Sequence, residues 1–266
     1  MTMKQSLLVL KCGGSTMEQL PDSFFSTIAA LQRDGQQLVI VHGGGPAINA
    51  LLAALQIEPE FVDGLRVTCD QTMQVVEMVL AGTINKQLVR RIHQAGGKAW
   101  GVSGEDGALL TARKTAKPLG QVGEIEQVDV TLIQTILAAG YIPIIAPVAI
   151  SADGKSSFNI NADIAAGAIA AALEAEKLLM VTDVPGILHK DERGEKKLLA
   201  QTNPAQIEDL IASGEIYGGM IPKVKAALDA LQEGVTKVVI CRGEADDLEQ
   251  ACAGGQVGTT IKGVGK

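Results

Sequence analysis

A chain of 266 residues is long enough to bury a substantial core, as one large α/β domain or two small ones. Its net charge of −7 argues against nucleic acid or another polyanion as partner, so positive charge is expected only locally, at a site. Four cysteines without a C-x-x-C pair and three scattered histidines exclude a disulfide framework and a zinc centre, and no apolar run is long enough to span a bilayer; a reduced, cytoplasmic protein with no membrane partner is expected.

The elements alternate along the chain. SLLVLK (6–11) reads as a fully buried strand that ends on a lysine, Lys11, followed past Cys12 by Gly13 and Gly14. Either Lys11 reaches back to the surface beside a tight turn, or the turn makes room for an anion at which Lys11 points. An amphipathic stretch near 22–33 follows, then strand QLVIVH (37–42), the run Gly43-Gly44-Gly45 and helix PAINALLAALQ (46–56). Three glycines that close a buried strand and open a helix, with Pro46 early in it, leave N–H groups and the helix dipole facing whatever lies above the strand. That favours an oxyanion or phosphate site over a plain turn.

Alternating segments over 58–68 predict a hairpin carrying Arg66, whose fork suits a carboxylate, although an arginine on an exposed hairpin is ordinary. A long helical pattern runs from about 70 to 95, followed by strand KAWGVS (98–103) and hairpin pieces in GEDGALLTARK and GEIEQVD. Helix 129–139, strand YIPIIAP (141–147) and helix NADIAAGAIAAALEA (161–175) come next. In NINAD (159–163), Asn161 suits an N-cap and Asp163 the first helical turn, which leaves Asn159 unexplained. Strand KLLMVTD (177–183), a helix near 204–213, helix PKVKAALDALQEG (222–234), strand KVVICR (237–242) and a short helix and strand complete the chain. Lys223, beside Pro222 in a first helical turn, is out of place, because a cation there is unfavourable by about 0.3–1 kcal/mol unless an anion binds.

Aliphatic runs separated by helices predict an α/β fold with a mostly parallel sheet covered on both faces. The rhythm restarts around residue 176, so one domain with two lobes is expected, about 1–176 and 177–266. Ligands bind off the carboxyl ends of parallel strands. Those ends carry glycine-rich turns after Lys11, after His42, after Ser103 and after Thr182. Two nucleotide fingerprints nevertheless fail. Gly154-Lys155-Ser156 has alanine at 149 where a Walker loop needs glycine, and it reads as a hairpin tip. In Gly43-Gly44-Gly45-Pro46-Ala47-Ile48, isoleucine takes the third glycine position of a dinucleotide fingerprint.

Taken in order, KCGGS, VIVHGGGPAI, DGLRVT, NINAD, VTDVPGI and GGMIPKVKAALDAL resemble the amino acid kinase family, over Lys11 to about Leu231. The resemblance is to its branch acting on N-acetyl-L-glutamate, in arginine biosynthesis. It implies an open αβα sandwich, an N-lobe for the acyl amino acid and for dimerisation, a C-lobe for ATP, and phosphorylation of the γ-carboxylate. By the same resemblance Lys11 and Lys223 would stabilise the transferring phosphoryl group and Asp163 would orient them. Gly44, Gly45, Arg66 and Asn159 would hold the acyl amino acid. Gly13, Gly14, Thr182, Asp183, Gly186 and Ile187 would meet the nucleotide, as would Glu215, Ile216 and Tyr217. Mg²⁺ would arrive with ATP, without a dedicated protein site. Cys69 stands where the family often has an acidic residue. The first strand begins close to Met1, which implies an arginine-insensitive homodimer without an interlocking N-terminal helix. The alternatives are a related kinase of aspartate, glutamate or protected aminoadipate, whose aspartate form usually carries further C-terminal domains, and a nucleotide-binding regulator without turnover.

Overall fold

The computed structural model describes residues 7–17, 20–190 and 194–263; Ser6, the expected first strand residue, lies outside them. Eight strands form the central sheet: β1 Leu7–Cys12, β2 Gln37–His42, β3 Ala99–Ser103, β4 Ile142–Ala146, β5 Lys177–Thr182, β6 Gln201–Thr202, β7 Lys237–Arg242 and β8 Thr259–Lys262. Across the sheet the order is β6-β8-β7-β5-β1-β2-β4-β3. Every neighbouring pair is parallel except β7 with β8. The chain therefore leaves β1 toward β2 on one side and returns to its other side with β5. That reversal is the switch point where a parallel sheet opens a crevice at its carboxyl edge.

Strand alternation decides which way Lys11 faces. Leu8, Leu10 and Cys12 enter the core on one face of the sheet, and Val9 enters the core on the other. A period of two sends Lys11 to the Val9 face. The first face is covered by α1 (Asp22–Arg33), α2 (Gly45–Ala54), α3 and α8, where α3 joins Asp70–Glu77, a π-helical Met78–Ile84 and Asn85–Gln94, and α8 is Ala245–Cys252. The second is covered by α4 (Thr131–Ala138), α5 (Ala162–Ala172), α6 (Pro204–Ala212) and α7 (Met220–Gln232). This is the expected αβα sandwich. Gly167 of α5 lies so close to α7 that a Cβ on it would sit 3.2 Å from the Ala230 Cβ, which explains why α5 is built from Ala and Gly.

Helices α5 and α7 each lead by a short turn into a parallel strand, β5 and β7, so both run back against the strands. Their N-termini therefore lie at the carboxyl edge of the sheet, as does that of α2, which follows β2. A second sheet, ordered Ser157–Asn159, Val148–Ile150, Leu110–Lys114, Gly123–Val128, contains two of the three expected hairpins and pairs them in parallel at Thr111 with Ile150. Two short hairpins, Phe61–Val62 with Leu65–Arg66 and Leu188–Lys190 with Lys196–Leu198, and two isolated bridges, Thr68 with Gly120 and Val122 with Asn159, complete the pairing among the described residues. No helix among them is long and apolar enough to cross a membrane.

Candidate active site

The carboxyl edge between β1, β2 and α5 opens into a cleft of about 200 Å³, bordered by Gly14, Gly44, Gly45, Arg66, Asn159 and Asp163 among others. Lys11 reaches this edge from below. Its Nζ lies 2.8 Å from Asp163 Oδ1, and the two side chains are only 7% and 14% exposed. The snorkelling alternative fails, since the lysine is held inside by a carboxylate at the start of α5. Asn161 caps that helix, its Oδ1 accepting from the N–H groups of Asp163 at 2.8 Å and Ile164 at 3.2 Å. The cap satisfies the helix end, so Asp163 is free to serve Lys11.

The glycines divide into two roles. The Gly13 N–H donates to the Val181 carbonyl at 3.3 Å and that of Gly43 to Cys12 at 3.0 Å, tying the turns to the sheet. Among the described residues no acceptor meets the N–H of Gly14, Gly44 or Gly45. Gly44 is pressed on the other side by the π-helical segment. A Cβ there would lie 2.5 Å from Ile84 Cδ1 and 2.6 Å from Leu80 Cδ2. Cys12 packs in the core at 1% exposure, and that burial pushes its thiol up to about 12.

Arg66 is buried at the opposite rim, 8% exposed, beneath the Phe61 ring at 4.7 Å. Its Nη1 is buried with no hydrogen-bond partner among the described residues. Burial lowers its pKa from the usual arginine range. An unpaired buried guanidinium nitrogen is costly unless an anion completes it. Asn159, unexplained by capping, borders the same cleft and donates from Nδ2 to Thr68 Oγ1 at 3.1 Å, which in turn donates to the Arg66 carbonyl at 2.9 Å.

The other expected residues lie elsewhere. Helix α7 begins at Met220, two residues before Pro222, so Lys223 is its fourth residue. Lys223 Nζ donates to the Gly219 carbonyl at 3.3 Å and does not border the cleft. Thr182 closes β5 with its hydroxyl bonded to Val184 N and O at 3.0 and 3.1 Å, and Asp183 is exposed. Gly186, at φ 146°, and buried Ile187 pack toward β8, where Ile187 N–H donates to Thr259 Oγ1 at 2.7 Å. Glu215 and Ile216 both donate from N–H to the Leu210 carbonyl at 3.0 Å, Ile216 being buried and Tyr217 exposed.

A buried polar pair beneath the glycine turn carries no sequence signal. His42 Nδ1 donates to the Gly43 carbonyl at 3.1 Å, which leaves Nε2 to accept from Asn85 Nδ2 at 3.4 Å. Asn85 also donates to Ile144 O at 2.8 Å and Val102 O at 3.1 Å. Burial above all, with Lys86 adding, lowers the His42 pKa to about 4 against the hydrogen bond to Gly43. His42 is therefore neutral near pH 7 and no candidate for a general base. Because the unfolded chain takes up this proton near the ordinary histidine value of 6.5, the contribution to stability is complete above pH 6.5. It is lost as pH falls through about 4, to a limit on the order of 3 kcal/mol. Thermal melts between pH 7 and 4 should show this component in the native chain and not in His42→Gln; parallel curves would refute it.

An edge of this kind suits a small molecule with two anionic ends, one toward the glycine amides and Lys11 and the other toward Arg66, the profile of a small-molecule phosphotransferase on an αβα sandwich. The chain belongs to the amino acid kinase family, which matches residues 6–242. An acetylglutamate kinase of Brevibacillus brevis is 61% identical over 258 residues, covering 97% of both chains. One from Geobacillus stearothermophilus is 46% identical over 256 residues, covering 96% of both. The crystal structure of a Streptococcus mutans UA159 protein superposes with a TM-score of 0.84 at 33% identity, covering 96% of this chain and 98% of the other.

Proposed function

We propose that this chain phosphorylates the γ-carboxylate of N-acetyl-L-glutamate with ATP, as in arginine biosynthesis. The observation that carries the reading is that one cleft is bordered both by Asp163, which is paired with Lys11, and by Arg66, whose buried Nη1 has no hydrogen-bond partner among the described residues. It accords with the names of the relatives above. The γ-carboxylate, with an ordinary pKa of about 4.3, is ionised at pH 7 and needs no base, which suits a site whose nearby histidine is buried and neutral. What such a transfer requires is alignment and neutralisation of charge. Lys11 supplies a cation at the switch point, Asp163 fixes it, and the N–H groups of Gly14, Gly44 and Gly45 offer donors for phosphoryl oxygens. Arg66 and Asn159 hold the rest of the acyl amino acid.

On this reading β1–β4 and their helices form the acyl-amino-acid lobe and β5–β8 the nucleotide lobe, with Thr182, Asp183, Gly186, Ile187 and Glu215–Tyr217 on the adenine nucleotide side. Mg²⁺ enters with ATP, held by phosphate oxygens and water. The N-terminus of α7 lies at the same sheet edge, so lobe closure with a changed Lys223 rotamer delivers a second cation. The working form is a cytoplasmic homodimer. Hydroxamate trapping with Mg-ATP tests the activity: acyl phosphate should form from N-acetyl-L-glutamate and barely from free glutamate, aspartate or UMP. Lys223→Ala should lower turnover about 100-fold with a much smaller change in KM for the acyl amino acid. Preference for aspartate, or folded protein without turnover, would sink the proposal.

A further inference from the structure

The two terminal nitrogens of Arg66 are treated differently. Nη1 has no hydrogen-bond partner among the described residues, while Nη2 donates to the Gly45 carbonyl at 3.4 Å and to Oδ1 of Asn49. Asn49 is the fifth residue of α2 and does not border the cleft. The Phe61 ring at 4.7 Å covers the guanidinium, and Asn49 with Gly45 O restricts its rotation about the remaining axis. Both acceptors are uncharged, and no carboxylate forms an ion pair with Arg66 among the described residues. An aspartate at this place would hold the fork equally well but would compensate its charge internally, as an ion pair does. The amide holds the fork and leaves its charge unspent.

We infer that Asn49 is a positioning residue that aims Arg66 Nη1, with its charge uncompensated, at the α-carboxylate of the bound acyl amino acid. This rests on the functional reading above: the γ-carboxylate must face the phosphoryl group near Lys11, which leaves the α-carboxylate for Arg66. Asn49 then sets affinity for one end of one substrate and nothing else. A residue that merely props up α2 would affect all ligands of the site together.

The test is calorimetric binding of N-acetyl-L-glutamate, of its α-carboxamide analogue and of Mg-ATP to the full chain, alongside steady-state kinetics. Asn49→Ala should weaken N-acetyl-L-glutamate about tenfold, while analogue and nucleotide shift less than about threefold and kcat stays within about twofold. Asn49→Asp, which retains the acceptor oxygen and guards against a folding defect, should weaken the dianionic substrate at least as much. Asn49→Ala binding like the native chain, equal loss for substrate and analogue, or native affinity in Asn49→Asp would each overturn the inference. A native chain that binds no N-acetyl-L-glutamate would overturn the functional reading, and the inference with it.

Discussion

Lys11→Met is expected to lower turnover by about 10²- to 10³-fold and to lower the melting temperature as well, for separable reasons. Methionine fills nearly the same volume, so packing changes little. The charge balance does change, because Asp163 Oδ1 loses the ammonium at 2.8 Å and a carboxylate only 14% exposed is left uncompensated. Breaking a buried pair this way costs about 3–5 kcal/mol. The N-terminal turn of α5 supports the carboxylate by about 0.3–1 kcal/mol, so a net loss of about 2–4 kcal/mol is expected. Adding Asp163→Asn removes the orphan charge. The double variant should recover most of the melting temperature and none of the turnover. Recovery of both would mean that Lys11 serves only the fold, and unchanged turnover in Lys11→Met would reject its place at the phosphoryl group.

The parts of this site that could be read from the chain are those made by local rules. An aliphatic run ending on lysine, glycines between strand and helix, and asparagine before an alanine-rich helix each report on a few neighbouring residues. Lys11, Gly44 and Asn161 stand where those rules put them. A mostly parallel sheet followed from helices interleaved with aliphatic runs, while the order of its strands did not. What escaped was long-range or short. The Arg66–Asn49 bond joins two elements 17 residues apart, and Asn85 meets His42 across 43. Neither has a period or a spacing to announce it. The π-helical Met78–Ile84, MVLAGTI, is too uniformly apolar for its pattern to separate one helical period from another. Strands of two or three residues, such as Gln201–Thr202, are too short to show alternation. Lys223 was legible as an anomaly, but its partner, Gly219 O one turn earlier, depends on where α7 begins, and helix boundaries are poorly marked.

Gly14→Ala and Gly45→Ala should separate along two axes, stability and substrate affinity, although both glycines border the same cleft. A Cβ on Gly14 would lie 2.6 Å from Gly44 N and 2.7 Å from Gly45 N. The methyl would meet backbone atoms, so no side chain can swing away and the two turns must part. The expected cost is about 1–3 kcal/mol of stability. The same methyl covers two of the three N–H groups without an acceptor among the described residues, so kcat/KM should fall by about 10²- to 10³-fold. At Gly45 a Cβ would meet nothing within 4 Å, and the residue opens α2 without a positive φ. Alanine there should leave the melting temperature unchanged or slightly higher, since it favours the helix. Its methyl nevertheless occupies space at the rim where the acyl amino acid is proposed to lie, so KM for that substrate should rise about tenfold with little change for ATP. Melts and steady-state kinetics on both variants decide the matter. If Gly14→Ala keeps full activity, the glycine N–H groups do not hold the phosphoryl oxygens. If Gly45→Ala loses stability but binds substrate normally, the glycine run is a folding device, and the anion must sit elsewhere along the edge.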